Sequence, residues 1–91
     1  MPPGRAIADV GVHPAGRLIA TSTSTTLSIG AVRDTVTVLS TTDGREVFRR
    51  TLPLYARSIV AFPSPTLFAY TERDGARAHV RLLRIPPELT R

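Results

Sequence analysis

The chain contains no cysteine, no lysine and no tryptophan, and no apolar run near the length of a membrane span. Without cysteine there is neither a disulfide framework nor a cysteine-based zinc site. A secreted miniprotein is disfavoured too, because such domains usually need those staples. Without ~20 consecutive apolar residues there is no membrane helix. No signal peptide is legible, since Met1-Pro2-Pro3-Gly4-Arg5 leads into no long apolar stretch. Met1 reads as a genuine start. The expectation is an intracellular, cytoplasmic protein with no membrane partner. Aromatics are scarce as well: Phe48, Phe62, Phe68, Tyr55 and Tyr70 are all there are. The core should therefore be aliphatic and shallow. A domain of 91 residues buries only about 60–65% of its unfolded surface, so it has little stability to spare.

What is present is arginine. All twelve basic side chains are Arg, and the net charge is +5. Such a balance suits phosphate or acidic surfaces. An absence of Lys beside abundant Arg, Ala, Pro and Thr equally matches GC-rich codon usage, which carries no function.

The hydrophobic pattern has period two, not 3.6. Ala8, Val10 and Val12 alternate with Asp9 and Gly11, and His13-Pro14-Ala15-Gly16 forms a turn. Leu18-Ile19-Ala20-Thr21 reads as the returning strand, and Thr35-Val36-Thr37-Val38-Leu39 is β-branched and strand-like. Thr41-Thr42-Asp43-Gly44 is a turn, and Arg45 to Leu52 an outer strand whose Arg49-Arg50 could blunt the edge. After Pro53 the pattern restarts. Strands fall at Ser58–Phe62, Thr66–Tyr70 and Ala78–Leu83, with turns at Pro63-Ser64-Pro65 and Arg73-Asp74-Gly75-Ala76. Pro86-Pro87 ends the series. The reading is all-β, about seven strands and no helix. Ser22–Val32 is read as a long Ser/Thr-rich hairpin loop with Leu27 and Ile29 packed down.

The two halves can be laid on each other. His13-Pro14 falls on Phe62-Pro63 and Leu18-Ile19-Ala20 on Leu67-Phe68-Ala69, both at an offset of 49. Val36–Leu39 falls on Val80–Leu83 at an offset of 44. The difference is absorbed in the Ser22–Val32 segment, where insertions are cheap. A repeat of about 45 residues with four short strands is the pattern of a propeller blade.

Val10-Gly11-Val12-His13-Pro14-Ala15-Gly16-Arg17-Leu18-Ile19-Ala20-Thr21 resembles the WD-repeat pattern V-x-F-S-P-D-G-x-x-L-A-T. Thr35–Val47 resembles the T-V-x-L-W-D-x-x-T-G-x-x-L that follows it, and Val60–Tyr70 is similar with a turn one residue shorter. Leu39-Ser40 and Leu83-Arg84 stand where the family carries Trp-Asp, and no Gly-His precedes either repeat. The resemblance implies an all-β fold of two antiparallel, four-stranded-type blades. Residues 1–6 form an N-terminal tail, 7–52 the first blade-like repeat, 53–85 a second, incomplete one, and 86–91 a C-terminal tail. It also implies a non-catalytic interaction platform. Two blades cannot close a ring of four or more, so their outer faces should stay open and apolar. Further copies could close a ring, another chain could supply the missing blades, or the strands could collapse into a sandwich or barrel.

Little chemistry is visible. His13 and His79 read as surface or turn residues, and neither shows the oriented partner that a base needs. Ser58, His13 and Asp9 could be written as a triad on paper, but no nucleophile-elbow pattern supports it. Asp43 and Asp74 precede Gly and read as turn formers, while Glu46 and Glu72 are expected to face water near Arg45 and Arg73. No acid cluster has metal-loop spacing and no Gly-rich phosphate motif occurs, so no metal or cofactor is expected.

In a propeller, the hairpin joining second and third strands shares one rim with the link between blades. Arg33 and the Arg73/Arg77 pair would occupy the first, Tyr55 and Arg57 the second. Arg and Tyr are favoured interface anchors, so these five are the candidate partner-binding residues. The expected function is a protein–protein interaction or assembly module that needs oligomerisation or a partner chain. The alternative is an Arg-rich nucleic-acid-binding β domain, which few exposed aromatics would serve by base stacking.

Overall fold

In the computed structural model, residues 5–27 and 30–90 are described. Among the described residues, seven strands make two antiparallel sheets. The first sheet is ordered β1-β2-β3-β4: β1 (Arg5–Val12), β2 (Leu18–Thr26), β3 (Val32–Ser40) and β4 (Glu46–Thr51). The second is ordered β5-β6-β7: β5 (Val60–Ser64), β6 (Leu67–Asp74) and β7 (Arg77–Arg84). A 3-10 turn, Pro87–Leu89, follows. No helix among the described residues is long and apolar enough to cross a membrane.

Every connection within a sheet is a short hairpin, and the chemistry of each turn is local. Gly16 and Gly44 take positive φ at 72° and 73°, conformations that cost glycine nothing. Asp43 Oδ1 accepts the Arg45 N–H, the side-chain cap expected of an Asp-Gly turn.

Several strand boundaries differ from the sequence reading, among them β6, which runs past Tyr70 to Asp74. The Ser22–Val32 segment is largely strand, not loop: β2 continues to Thr26 and pairs with β3 as far as Thr26–Val32. Leu27 N–H and Ala31 C=O close the hairpin at 2.7 Å, while Ile29 lies outside the described residues. β5 begins at Val60 and runs on through Pro63 to Ser64. Pro63 is tolerated because β5 is an edge strand whose register shifts between Ala61 and Ser64. β7 extends to Arg77 and Arg84. The second sheet has three strands where the first has four.

The ladders of the two sheets can be compared position by position. Ala20 pairs with Val38, and their equivalents Ala69 and Leu82 pair with each other. In the first strands the register is one residue off the sequence alignment. Val10 and Gly11 face Thr21 and Ala20, as Val60 and Ala61 face Tyr70 and Ala69. Val10 is therefore the counterpart of Val60, and Val12, not His13, that of Phe62. The shorter turn of the second repeat accounts for the shift.

Each sheet thus has two faces that can be named alike. In the first sheet, Leu18 and Ala20 of β2 and Val36 and Val38 of β3 lie on one face, here the front. Val10, Val12, Ile19 and Thr21 lie on the back. In the second sheet the equivalent front carries Leu67, Ala69, Val80 and Leu82. The back carries Val60, Phe68 and Tyr70. The core joins the front of the first sheet to the back of the second: Leu18, Ala20, Val36 and Val38 pack with Val60, Phe68 and Tyr70, closed by Leu52, Ala56 and Ile85. Phe48, Phe62, Phe68 and Tyr70 add edge and tilted ring contacts at 5.2–6.0 Å. The sheets come closest at β1 and β5. A methyl on Gly11 would lie 3.3 Å from the Val60 carbonyl oxygen.

Candidate functional site

The five residues singled out in sequence converge on one rim of the molecule. The segment between the sheets passes over the β2–β3 end of the first sheet, where Tyr55 N–H donates to the Val32 carbonyl beside Arg33. Tyr55 holds φ at +66°, a left-handed conformation uncommon for a non-glycine residue, and its ring is exposed. Two residues on, Arg57 bridges to Arg73 with N–H to carbonyl bonds of 2.9 Å in both directions. Arg77 opens β7 on the other side of the same hairpin. The backbones of four arginines and a tyrosine therefore meet at this end, with Arg33 on the back of the first sheet and Arg73 on the front of the second. Arg57, Arg73 and Arg77 are exposed, and Arg33 is half-buried. Arg57 Nε stands 3.9 Å from Asp34 Oδ2. The rim thus carries the exposed Arg57, Arg73 and Arg77 beside the exposed Tyr55 ring.

Beneath that rim lies a polar seam that the sequence reading did not single out. Asp34 is 1% exposed, on the front of β3. It accepts Ser24 Oγ–H at 2.7 Å and the Ser58 N–H at 3.0 Å. Asp9 of β1 accepts the Val60 N–H at 2.8 Å, and between them Ile59 N–H donates to Thr71 Oγ1 at 2.9 Å. Successive backbone donors of the entering β5 are thus held by side chains of both sheets. These acids are structural clamps. A buried backbone N–H left unpaired costs about 1–3 kcal/mol, so the clamps fix where the second sheet begins.

His13 is not a surface residue: it is 2% exposed. Ala15 N–H donates to its Nδ1 at 3.1 Å, and its Nε2 lies 2.9 Å from the Pro65 carbonyl oxygen. A carbonyl can only accept and an N–H can only donate, so the ring is the Nε2–H tautomer. It stacks edge-on against Phe62 at 5.6 Å. The imidazole pins the β1–β2 turn of the first sheet to the β5–β6 turn of the second. With both nitrogens engaged, it has none to offer Ser58, whose N–H in turn belongs to Asp34. His79 is exposed on β7.

Two acids also differ from expectation. The Glu72 side chain is only 13% exposed and faces Arg50 at 3.4 Å and Arg81 at 3.9 Å, not Arg73. Arg50 is on the first sheet, so this pair crosses between sheets. Glu46 pairs with Arg49 at 2.9 Å, not with Arg45. In strands, side chains meet across the ladder and between sheets, which sequence adjacency does not reveal.

The remaining candidates are apolar. A cleft of about 270 Å³ opens between the sheets, lined by Leu18, Val38, Phe48, Phe68, Leu83 and Leu89 among others. The back of the first sheet exposes Ile7, Val10 and Val12, and the front of the second exposes Ile59, Val80 and Leu82. No protein-family model, no curated protein and no solved structure matches the chain.

Proposed function

We propose that this chain is a non-catalytic protein-interaction and assembly module, a partial WD-repeat-like β-propeller whose two blades present open faces to further copies or to a partner chain. One observation carries the reading: the front of one sheet packs on the back of the next. A two-fold sandwich would bury equivalent faces against each other. Front-to-back stacking is the relation between successive blades of a propeller, and it leaves one unsatisfied face at each end. Here those faces hold Val10 and Val12 at one end, and Val80 and Leu82 at the other, all more than half exposed. Contiguous exposed apolar side chains of this kind mark interaction surfaces. The Tyr55–Arg57–Arg73 rim, with Arg33 and Arg77, adds anchor residues beside them.

Light scattering on the eluting native protein, with every co-purifying chain identified by mass, tests this. The expected result is a mass above one chain, or a stoichiometric complex. A lone monomer at micromolar concentration that forms neither overturns the proposal. The convergence of four arginines on one rim supports a second reading, binding of nucleic acid through phosphates. Its mark would be affinity for a duplex or single strand that falls steeply with salt.

A further inference from the structure

The two open faces are complementary to each other, and from this we infer that the occupant is a second copy of the same chain, joined head to tail. The inference rests on the propeller reading above and commits it to one partner. Its basis is the equivalence of buried and exposed positions. Val36 and Val38 are 0% and 3% exposed on the front of the first sheet. Their counterparts Val80 and Leu82 are 65% and 61% exposed on the front of the second. Val60 is 4% exposed on the back of the second sheet, and its counterpart Val10 is 53% exposed on the back of the first. The same pairing of faces is therefore available once more, between the second sheet of one copy and the first sheet of the next, with Ile19 and Thr21 standing where Phe68 and Tyr70 stand inside the chain.

Such an interface is heterologous: different surfaces meet, and the operation propagates until it closes. Two to four copies would supply the roughly four to eight blades of closed propellers. A face three strands wide covers only about 350 Å² in projection at ~4.8 Å per strand, well under the ~800 Å² per partner of a standard interface. A single junction is therefore weak, and closure, in which every copy uses both faces, is what stabilises the assembly.

Charge fixes a further property. Arg5 flanks the open back, where Arg49 is paired with Glu46, and Arg73 and Arg84 flank the open front. Like charges meet at the junction, so self-association should strengthen as salt screens them. Docking of an acidic partner, or of nucleic acid, would weaken with salt instead.

The absence of cysteine makes the test clean. Within the chain, the β-carbon position of Gly11 lies 3.3 Å from the Val60 backbone. The equivalent approach across the junction is between Ala61 of one copy and Val10 of the next. Val10→Cys and Ala61→Cys proteins, mixed and mildly oxidised, should form the mixed disulfide roughly tenfold or more faster than either self-disulfide, because the junction concentrates those two thiols. Light scattering of the unmodified protein should show mass rising with salt, and Leu82→Arg, at a site exposed in the monomer, should abolish both effects. No preference for the mixed disulfide, together with a single-chain mass at high salt, overturns self-assembly. A complex with a different chain that Leu82→Arg disrupts, seen with that result, overturns the second copy while leaving the interaction-module reading standing. Absence of any complex overturns both.

Discussion

Asp34 and Ser58 are joined across the boundary between the two sheets, the Ser58 N–H donating to Asp34 Oδ2 at 3.0 Å in a buried setting. The same carboxyl group takes Ser24 Oγ–H from the neighbouring strand. One side chain thus fixes β2, β3 and the point where the chain leaves one sheet for the other. Asp34→Ala should orphan the Ser58 N–H and cost about 2–3 kcal/mol in stability. A denaturant titration with unchanged slope and a lower midpoint would register it. Asp9→Ala, at a less buried donor, should cost nearer 1 kcal/mol.

The His13 ring should be observable as a single tautomer. Nitrogen chemical shifts are expected to show the proton on Nε2, toward the Pro65 carbonyl, with Nδ1 accepting from Ala15. His13→Ala should cost about 2 kcal/mol, from both hydrogen bonds and the Phe62 contact. His13→Phe, which restores only the apolar contact, should recover a minor part of that loss.

Gly11 marks the closest approach of the sheets. Any larger residue must displace the Val60–Ala61 backbone, which Asp9 holds in place. Gly11→Val should therefore destabilise by about 1–3 kcal/mol, the usual cost of overpacking. The same substitution on an open strand would be neutral or stabilising by β-propensity. Thermal unfolding of the variant decides between the two.

The arginine rim should be separable from stability. Arg57 and Arg73 meet through their backbones, so Arg57→Gln and Arg73→Gln keep those bonds. For Arg73→Gln the unfolding free energy should change by no more than about 0.5 kcal/mol, as for ordinary surface sites; Arg57→Gln also removes the cation beside the buried Asp34 carboxylate and should cost more. Binding of an acidic polymer, measured at low salt, should fall with each charge removed.

Much of the fold was legible because period two and turn chemistry are local. Asp43-Gly44 and the alternation of Thr35–Leu39 locate their elements without reference to anything distant. The second half of β2 escaped for a physical reason. In Ser22–Thr26 the inward residues are serines, and Ser22 is fully buried. A strand with small polar residues inside and threonines outside shows no hydrophobic alternation, so it reads as loop. His13 and Asp34 escaped because their partners lie 52 and 24 residues away. Burial of a polar group is decided by those partners, not by its neighbours in sequence. Arg33, Tyr55, Arg57, Arg73 and Arg77 sit at hairpins and links, whose turn chemistry is local and can be placed from sequence.

The clamps have a consequence for the order of events as the chain is made. The first sheet is a meander of hairpins and needs no residue beyond Thr51 for its ladders. Both acids that seize the entering strand belong to it. Its hydrogen-bonded ladders can therefore form first, while Leu18, Ala20, Val36 and Val38 are covered only when Val60, Phe68 and Tyr70 arrive. The later half then lays its first strand on a finished surface, as a crystal adds a row. On the self-assembly proposed above, the open front of the second sheet would be such a surface again, and docking of a further copy would repeat the step by which the two sheets came together.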